Sequence, residues 1–196
     1  MIITLSCLLA ALFPDEHEVI HLRAFAPKKA PPGDSRFTAH KLIVTRHALA
    51  NDRRLQTQLR KLNATRGLYF VVNAGGDTDR EITRFNAFFA EDDSRPIAEQ
   101  HRRLDAAPLQ PSIRVQTLKS VHAYWLIAGD CTEEEWRDVQ QRLIAYFGGD
   151  EKIKNPSRVM RVPYFNHVLY NVDSGSLSYK KIELMAFESE RRFTVL

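Results

Sequence analysis

Cysteine is nearly absent from this chain, with Cys7 and Cys131 alone in 196 residues. Two cysteines cannot build a disulfide framework, and no Cys/His cluster has the spacing of a zinc site. A reducing, cytoplasmic setting is expected. Long apolar runs are missing as well. The most apolar stretch, MIITLSCLLAALF, is about a dozen residues long, too short to cross a bilayer, and lacks a basic flank of the kind secretion signals carry. Pro14, Asp15 and Glu16 follow it directly. It reads as a packed N-terminal helix, and no membrane partner is expected. There is no internal repeat, no low-complexity tract and no Gly-x₄-Gly-Lys loop, so no P-loop helicase lies within these residues.

What is present fits a soluble globular domain: 44% hydrophobic and 27% charged residues, enough length for a sizeable core. The formal net charge of +4 is mild, but its distribution is uneven. From Arg36 to Arg66 there are eight basic residues against one acid, Asp52; from Lys152 to Arg161 there are four and no acid. Such blocks suit a phosphate backbone, and they equally suit solvated helix faces.

Between the two blocks lies RFNAFFAEDDS, Arg84–Ser94. Its apolar run reads as a buried strand ending in Glu91, Asp92 and Asp93. Three adjacent carboxylates repel one another and cannot all be buried without a cation. Strand alternation puts Glu91 and Asp93 on one face and Asp92 on the other. Two carboxylates on one face can hold a divalent ion through oxygen. A strand followed by a solvated acidic turn has the same pattern.

The remaining elements follow from periodicity. Glu18–Pro27 alternates as a strand; Lys41–Arg46 is a strand or a helix start. Asp52–Asn63 is a helix with Leu55, Leu59 and Leu62 on one stripe and Arg53, Arg54, Arg60 and Lys61 largely off it. Gly67–Asn73 is a buried strand ending in the turn AGGD, and Thr83–Ala90 is the strand of the acidic tip. Pro96–Ala106 is a helix. Ser112–Thr117 and His122–Ala128 form a hairpin. Thr132 and Glu135 make a capping box for a helix that ends at Gly148-Gly149, with Trp136, Val139, Leu143 and Phe147 on its apolar stripe. Asn155–Pro163 begins with a turn and continues as a short helix or strand; the helical form would put Arg158 and Arg161 on one face. Ile182–Phe187 is a last strand. Tyr124, Trp125 and Trp136 are assigned to the core. This order predicts an α+β sandwich.

Three pieces then suggest a chemistry: the carboxylates Glu91 and Asp93, the pair Ser120 and His122 alternating onto one face of the hairpin, and Asp150 ahead of Arg158 and Arg161. Two metal ions can clamp the attacking and leaving oxygens of nucleotidyl transfer, and three carboxylates are a minimal cage for them. Ser120, His122, Arg158 and Arg161 are donors suited to a triphosphate.

In their order these residues resemble the archaeo-eukaryotic primase superfamily, nearest to the primase-polymerase domains of plasmid, phage and mobile-element replication proteins. The resemblance runs from about Leu12 to His167. It rests on LFPDEHEVIHLRAF, GLYFVVNAGG, the acidic strand, KSVHAYW, and an acid followed by RVMR with a proline after it. It implies an RRM-like catalytic core with a mixed or antiparallel sheet flanked by helices. It implies Glu91, Asp93 and Asp150 as catalytic ligands of Mg²⁺ or Mn²⁺, and Ser120, His122, Arg158 and Arg161 as nucleotide contacts. Three features depart from the superfamily's pattern. Glu91 stands where Asp is usual, Asp92 where an apolar residue is usual, and Tyr164-Phe165 where Gly often follows.

The expected organisation is a single domain: a basic α/β subregion over about 1–66, a metal- and nucleotide-binding core over 67–167 and a C-terminal extension over 168–196. The expected activity is primer synthesis or extension on single-stranded DNA from nucleoside triphosphates. Arg53, Arg54, Arg60 and Lys61 would hold the template, and a replicative helicase is an implied partner. The alternatives are a catalytically weak single-strand or origin-binding module and a metal-dependent nuclease. His17, His21, His40, His47, His101 and His167 receive no role.

Overall fold

The computed structural model describes residues 5–149 and 151–195. Two sheets organise it. The first sheet has the order β2-β1-β3-β7, made of β1 (Val19–Phe25), β2 (His40–Thr45), β3 (Gly67–Val71) and β7 (Val159–Arg161). Along β1 the side chains alternate. Ile20, Leu22 and Ala24 turn inward with Leu68 and Phe70 of β3, while His21, Arg23, Phe25 and Tyr69 take the other face.

Three helices cover the inward face: α1 (Leu5–Leu12), α2 (Arg46–Asn51) and α3 (Arg53–Asn63). Leu9, Leu49 and Leu59 from these helices gather around Leu22, Leu68 and Phe70. Asp52 caps α3 by accepting from the N–H groups of Arg54 and Leu55. The apolar stripe expected for α3 therefore faces the sheet, and Arg53, Arg54, Arg60 and Lys61 are exposed on the helix's far side.

The second sheet is built on the hairpin of β5 (Ile113–Gln116) and β6 (Val121–Ile127), with β4 (Ala87–Ala90) antiparallel on β6's other edge. β10 (Glu183–Phe187) extends it beyond β5, and β11 (Arg192–Phe193) pairs parallel with β6, so this sheet is mixed. α4 (Ile97–Asp105) precedes the hairpin, and α5 (Glu133–Phe147) packs behind β4. Thr132 and Glu135 form the expected capping box, and Gly148 ends α5 with φ +60°. Trp136 is fully buried and donates Nε1–H to the Ala87 carbonyl at 3.0 Å. Gln140 serves β4's free edge: its Oε1 accepts from Phe89 N–H at 3.1 Å and its Nε2 donates to Phe89 O. A buried polar side chain thus satisfies backbone groups that a further strand would otherwise pair.

The α+β reading holds, and the helix and hairpin assignments hold with it. Lys41–Arg46 resolves as the strand β2. Asn155–Pro163 resolves as a turn and then β7, not a helix. β8 (Asn166–Tyr170) and β9 (Leu177–Lys181), a separate hairpin, were not foreseen. Residues 168–196 supply two strands of the second sheet, so this stretch is woven into the core sheet.

Candidate active site

β4 ends on the acidic tip, and the tip opens onto a cleft of about 380 Å³ between the two sheets. Its walls are drawn from six segments, among them Ala26, Pro27 and Lys28 just after β1. Glu91 and Asp93 follow β4; Ser120 lies in the turn before β6 and His122 near the start of that strand. Tyr69 comes from β3, Arg158 and Arg161 from the approach to β7 and its end, and His167 from β8.

Glu91 is the electrostatic centre. Its Oε2 accepts from His122 Nε2 at 3.1 Å and its Oε1 from Arg158 Nη2 at 3.1 Å. Burial alone would raise this carboxyl, but the hydrogen bonds and charges of His122 and Arg158 outweigh it and hold the pKa at about 2. Glu91 is therefore ionised at every physiological pH. Asp93 is exposed on the same cleft. Asp92 is absent from its lining: its carboxylate accepts from Ser94 N–H at 2.9 Å and pairs with Arg95. The loop after α5 reaches the tip too. A Cβ on Gly149 would lie 2.6 Å from the Glu91 carbonyl oxygen, so only glycine fits there.

Ser120 is buried in a tight turn in which its N–H donates to Thr117 Oγ1 at 3.1 Å and its carbonyl accepts from Thr117 N–H at 2.8 Å. His122, 3% exposed, stands on β6 opposite Val115. Its Nε2 donates to Glu91, and its Nδ1 is buried with no hydrogen-bond partner among the described residues.

Arg161 lies opposite Tyr69 across the β3–β7 pair, with its guanidinium 4.6 Å from the ring centre. Gly67 makes room for it, since a Cβ there would meet Arg161 Nη1 at 2.9 Å. Burial lowers the Arg161 pKa and raises that of Tyr69. Arg161 Nη2 donates to His167 Nε2 at 3.0 Å. That geometry assigns the proton of a neutral His167 to Nδ1. Burial, then the charges of Arg161, His122 and Lys119, push the His167 pKa down to about 4, so the ring is neutral at pH 7. His167 Nδ1 and Arg161 Nη1 are buried without hydrogen-bond partners among the described residues. The cleft thus combines the Glu91 and Asp93 carboxylates with several converging donors, an arrangement suited to a polyanion that also brings cations.

No family model and no curated protein matches the chain. Solved structures do. The AEP domain of the cyanophage S-2L primase-polymerase is 28% identical over 95% of this chain and 89% of its own, with a TM-score of 0.70. The chain carries the archaeo-eukaryotic primase fold. Primase RepB′ has the same fold at 13% identity and a TM-score of 0.63, with this chain spanning 55% of its length. The catalytic domain of RepB′, solved in complex with initiator DNA, matches at 12% identity and 0.63 over 94% of this chain and 83% of its own.

In this primase fold the expected residues divide sharply. Glu91, Asp93, Ser120, His122, Arg158 and Arg161 all line one cleft. Arg158 and Arg161 reach it from a turn and a strand, so the shared helix face anticipated for them does not exist. Asp150 lies outside the described residues. Arg53, Arg54 and Lys61 line a separate shallow surface, and α3 packs on the face of the first sheet turned away from the cleft. Tyr69, Lys119 and His167 were missed. His167 is six residues beyond Arg161 and carries no local motif; only the packing of β8 against β3 brings it in.

Glu91 and Asp93 are hard oxygen donors, which suit Mg²⁺ or Mn²⁺, and Mg²⁺ ordinarily takes only one or two carboxylates. Among the described residues no group of three His, Cys, Asp or Glu side chains is placed to hold a metal. The donor chemistry of the acidic tip fits such an ion. Among the described residues no helix is long and apolar enough to cross a membrane.

Proposed function

We propose that this domain is a metal-dependent nucleotidyltransferase that synthesises or extends primers on single-stranded DNA from nucleoside triphosphates. The supporting observation is the single cleft that joins Glu91 and Asp93 to Ser120, His122, Arg158 and Arg161. In the reaction a primer 3′-hydroxyl oxygen bonds to the α-phosphorus as the bond to pyrophosphate breaks, and the hydroxyl proton is released. Mg²⁺ or Mn²⁺ held by Glu91, Asp93 and Asp150 would supply Lewis-acid charge at the phosphate oxygens. Glu91, ionised by its depressed pKa, holds His122 and Arg158 in place through both carboxylate oxygens. Ser120, His122, Arg158 and Arg161 would contact the triphosphate, with Arg161 Nη1 and His167 Nδ1 as donors left without hydrogen-bond partners among the described residues. The Tyr69 ring fixes the plane of Arg161, so that donor is preorganised.

Arg53, Arg54, Arg60 and Lys61 would then hold DNA phosphates at a distance from the chemistry, and a replicative helicase is a fitting partner for such a domain. The deciding experiment is incorporation of labelled nucleotide on a primed or unprimed single-stranded template with Mg²⁺ or Mn²⁺. Incorporation that persists in the Glu91→Ala, Asp93→Ala double variant refutes the site. A second reading, a DNA-binding module of weak activity, draws on the full occupation of Glu91 by His122 and Arg158. It predicts salt-dependent DNA binding with no incorporation by the wild-type chain.

A further inference from the structure

The cleft face of the first sheet continues past Arg161 and Tyr69 to Phe25, the last residue of β1. Phe25 sits diagonally across from Tyr69, and the two rings lie 5.3 Å apart with their planes tilted by 59°. The stack therefore runs Arg161, Tyr69, Phe25. Its inner end, Arg161 and Tyr69, is half-buried, and its outer end, Phe25, is 37% exposed. The residues directly after it, Ala26, Pro27 and Lys28, line the cleft. An isolated exposed aromatic means little on its own. This ring differs because it is braced from behind and stands at the mouth of a charged cleft. Lys28 is exposed beside it, whereas Lys41 and Arg23, further along the same sheet face, both pair with Asp77.

We infer that Phe25, braced by Tyr69, is a stacking platform for an unpaired base of single-stranded DNA entering the cleft, with Lys28 pairing to its backbone phosphate. Single-strand binding combines aromatic stacking with nearby cations, and four-stranded sheets use exposed aromatics on an open face for this purpose. Exposed Lys28 beside the ring and the Arg161 guanidinium at the other end of the stack favour a polyanion, which argues for a nucleic-acid strand over an apolar partner. The platform differs in place from the α3 surface, which sits behind the same sheet. The inference rests on reading the cleft as a nucleic-acid site, but not on catalysis.

The test is equilibrium binding of a short single-stranded DNA to the full chain without nucleotide or metal. Phe25→Ala should weaken binding roughly 5- to 100-fold, the equivalent of one lost base stack. Phe25→Trp should restore it. The salt dependence should keep its slope in Phe25→Ala but fall by about 0.7 in Lys28→Ala. On an oligonucleotide with abasic sites throughout, wild type and Phe25→Ala should bind alike. Equal binding of normal DNA by both proteins overturns the platform, as does an equal loss on abasic and normal strands. These results are separable from the catalytic reading: a chain that binds through Phe25 but incorporates nothing keeps the platform and loses the polymerase.

Discussion

The second sheet has a hollow on each side, and the two are nearly the same size. One is the cleft of about 380 Å³; the other, of about 400 Å³, lies between β6, α5 and the chain's last described residues. They differ in lining because β6 alternates. His122 points to the cleft, while Trp125 points to the other side and joins Phe88, Leu143 and Phe147. The apolar hollow is bounded by residues that pack to hold the fold. The cleft is bounded by charges and buried donors that cost stability unless something binds them. Volume does not distinguish a functional site; unsatisfied polar chemistry does.

The strongest way to sharpen that contrast is to remove the acidic tip. Glu91→Ala or Asp93→Ala should lower nucleotide incorporation by at least about 10²-fold, the scale of losing a charge-stabilising group. Asp92→Ala should cost only a few-fold in incorporation, since its carboxylate serves Arg95 and the Ser94 turn. Incorporation measured under the same conditions for all three decides it. A loss in Asp92→Ala equal to that in Asp93→Ala breaks the assignment of faces.

Acid titration separates the polar region from the rest of the molecule. Glu91 has a folded pKa of about 2 against an ordinary 4.5. The unfolded state therefore holds more protons between those values, and the stabilisation present above pH 4.5 is lost as pH falls through about 2. His167 moves from 6.5 to about 4. Its neutral form is favoured by the fold, so stability declines as pH falls from 6.5 and the loss is complete below about 4. Denaturant unfolding across pH should show a flatter profile between 6.5 and 4 for His167→Asn. For Glu91→Gln the profile should flatten below 4.5. A His167→Asn curve parallel to wild type in the upper window would place the ring outside the Arg161 network.

These two groups also show what a sequence can disclose. Glu91, Asp93 and Ser120 border short strands and His122 lies within one, so period-two alternation carried just past the strand ends places them on one side. The α3 stripe and the α5 capping box are likewise local signals. Tyr69 and His167 are not local. Tyr69 reads as a core aromatic of a buried strand, and it becomes part of the cleft only by pairing with Arg161, far along the chain. β7 is three residues long with Met160 alone pointing inward, too short for any periodicity. β8 and β9 carry polar residues on both faces, so no alternation announced them. The basic block from Arg36 to Arg66 was legible as charge but not as placement. Which side of a sheet a helix covers is decided by its buried stripe and by the strands it meets.

The apolar hollow supplies the converse case. Leu143→Ala removes a half-buried side chain from its wall and should cost about 1–2 kcal/mol, below the range for a fully buried leucine. Incorporation per folded molecule should be unchanged, with denaturant unfolding and a nucleotide titration run on the same sample. A selective fall in incorporation at unchanged stability would show that the hollow communicates with the cleft, and the two regions would no longer be separable.

The smallest effect is expected from α3. Arg53 and Arg54 are exposed on the side of the helix away from the first sheet, and they line no part of the cleft. Contacts from there to DNA would be phosphate contacts alone, blind to sequence and to the reacting atoms. Arg53→Ala with Arg54→Ala should therefore leave incorporation at saturating template unchanged. The salt slope of single-strand binding should fall by about 1.4, as two lost phosphate contacts require. No change in that slope would make the stripe a solvated helix face. A loss of incorporation at saturating template would mean that α3 senses the reacting strand, and the sheet would not divide the DNA surface from the chemistry.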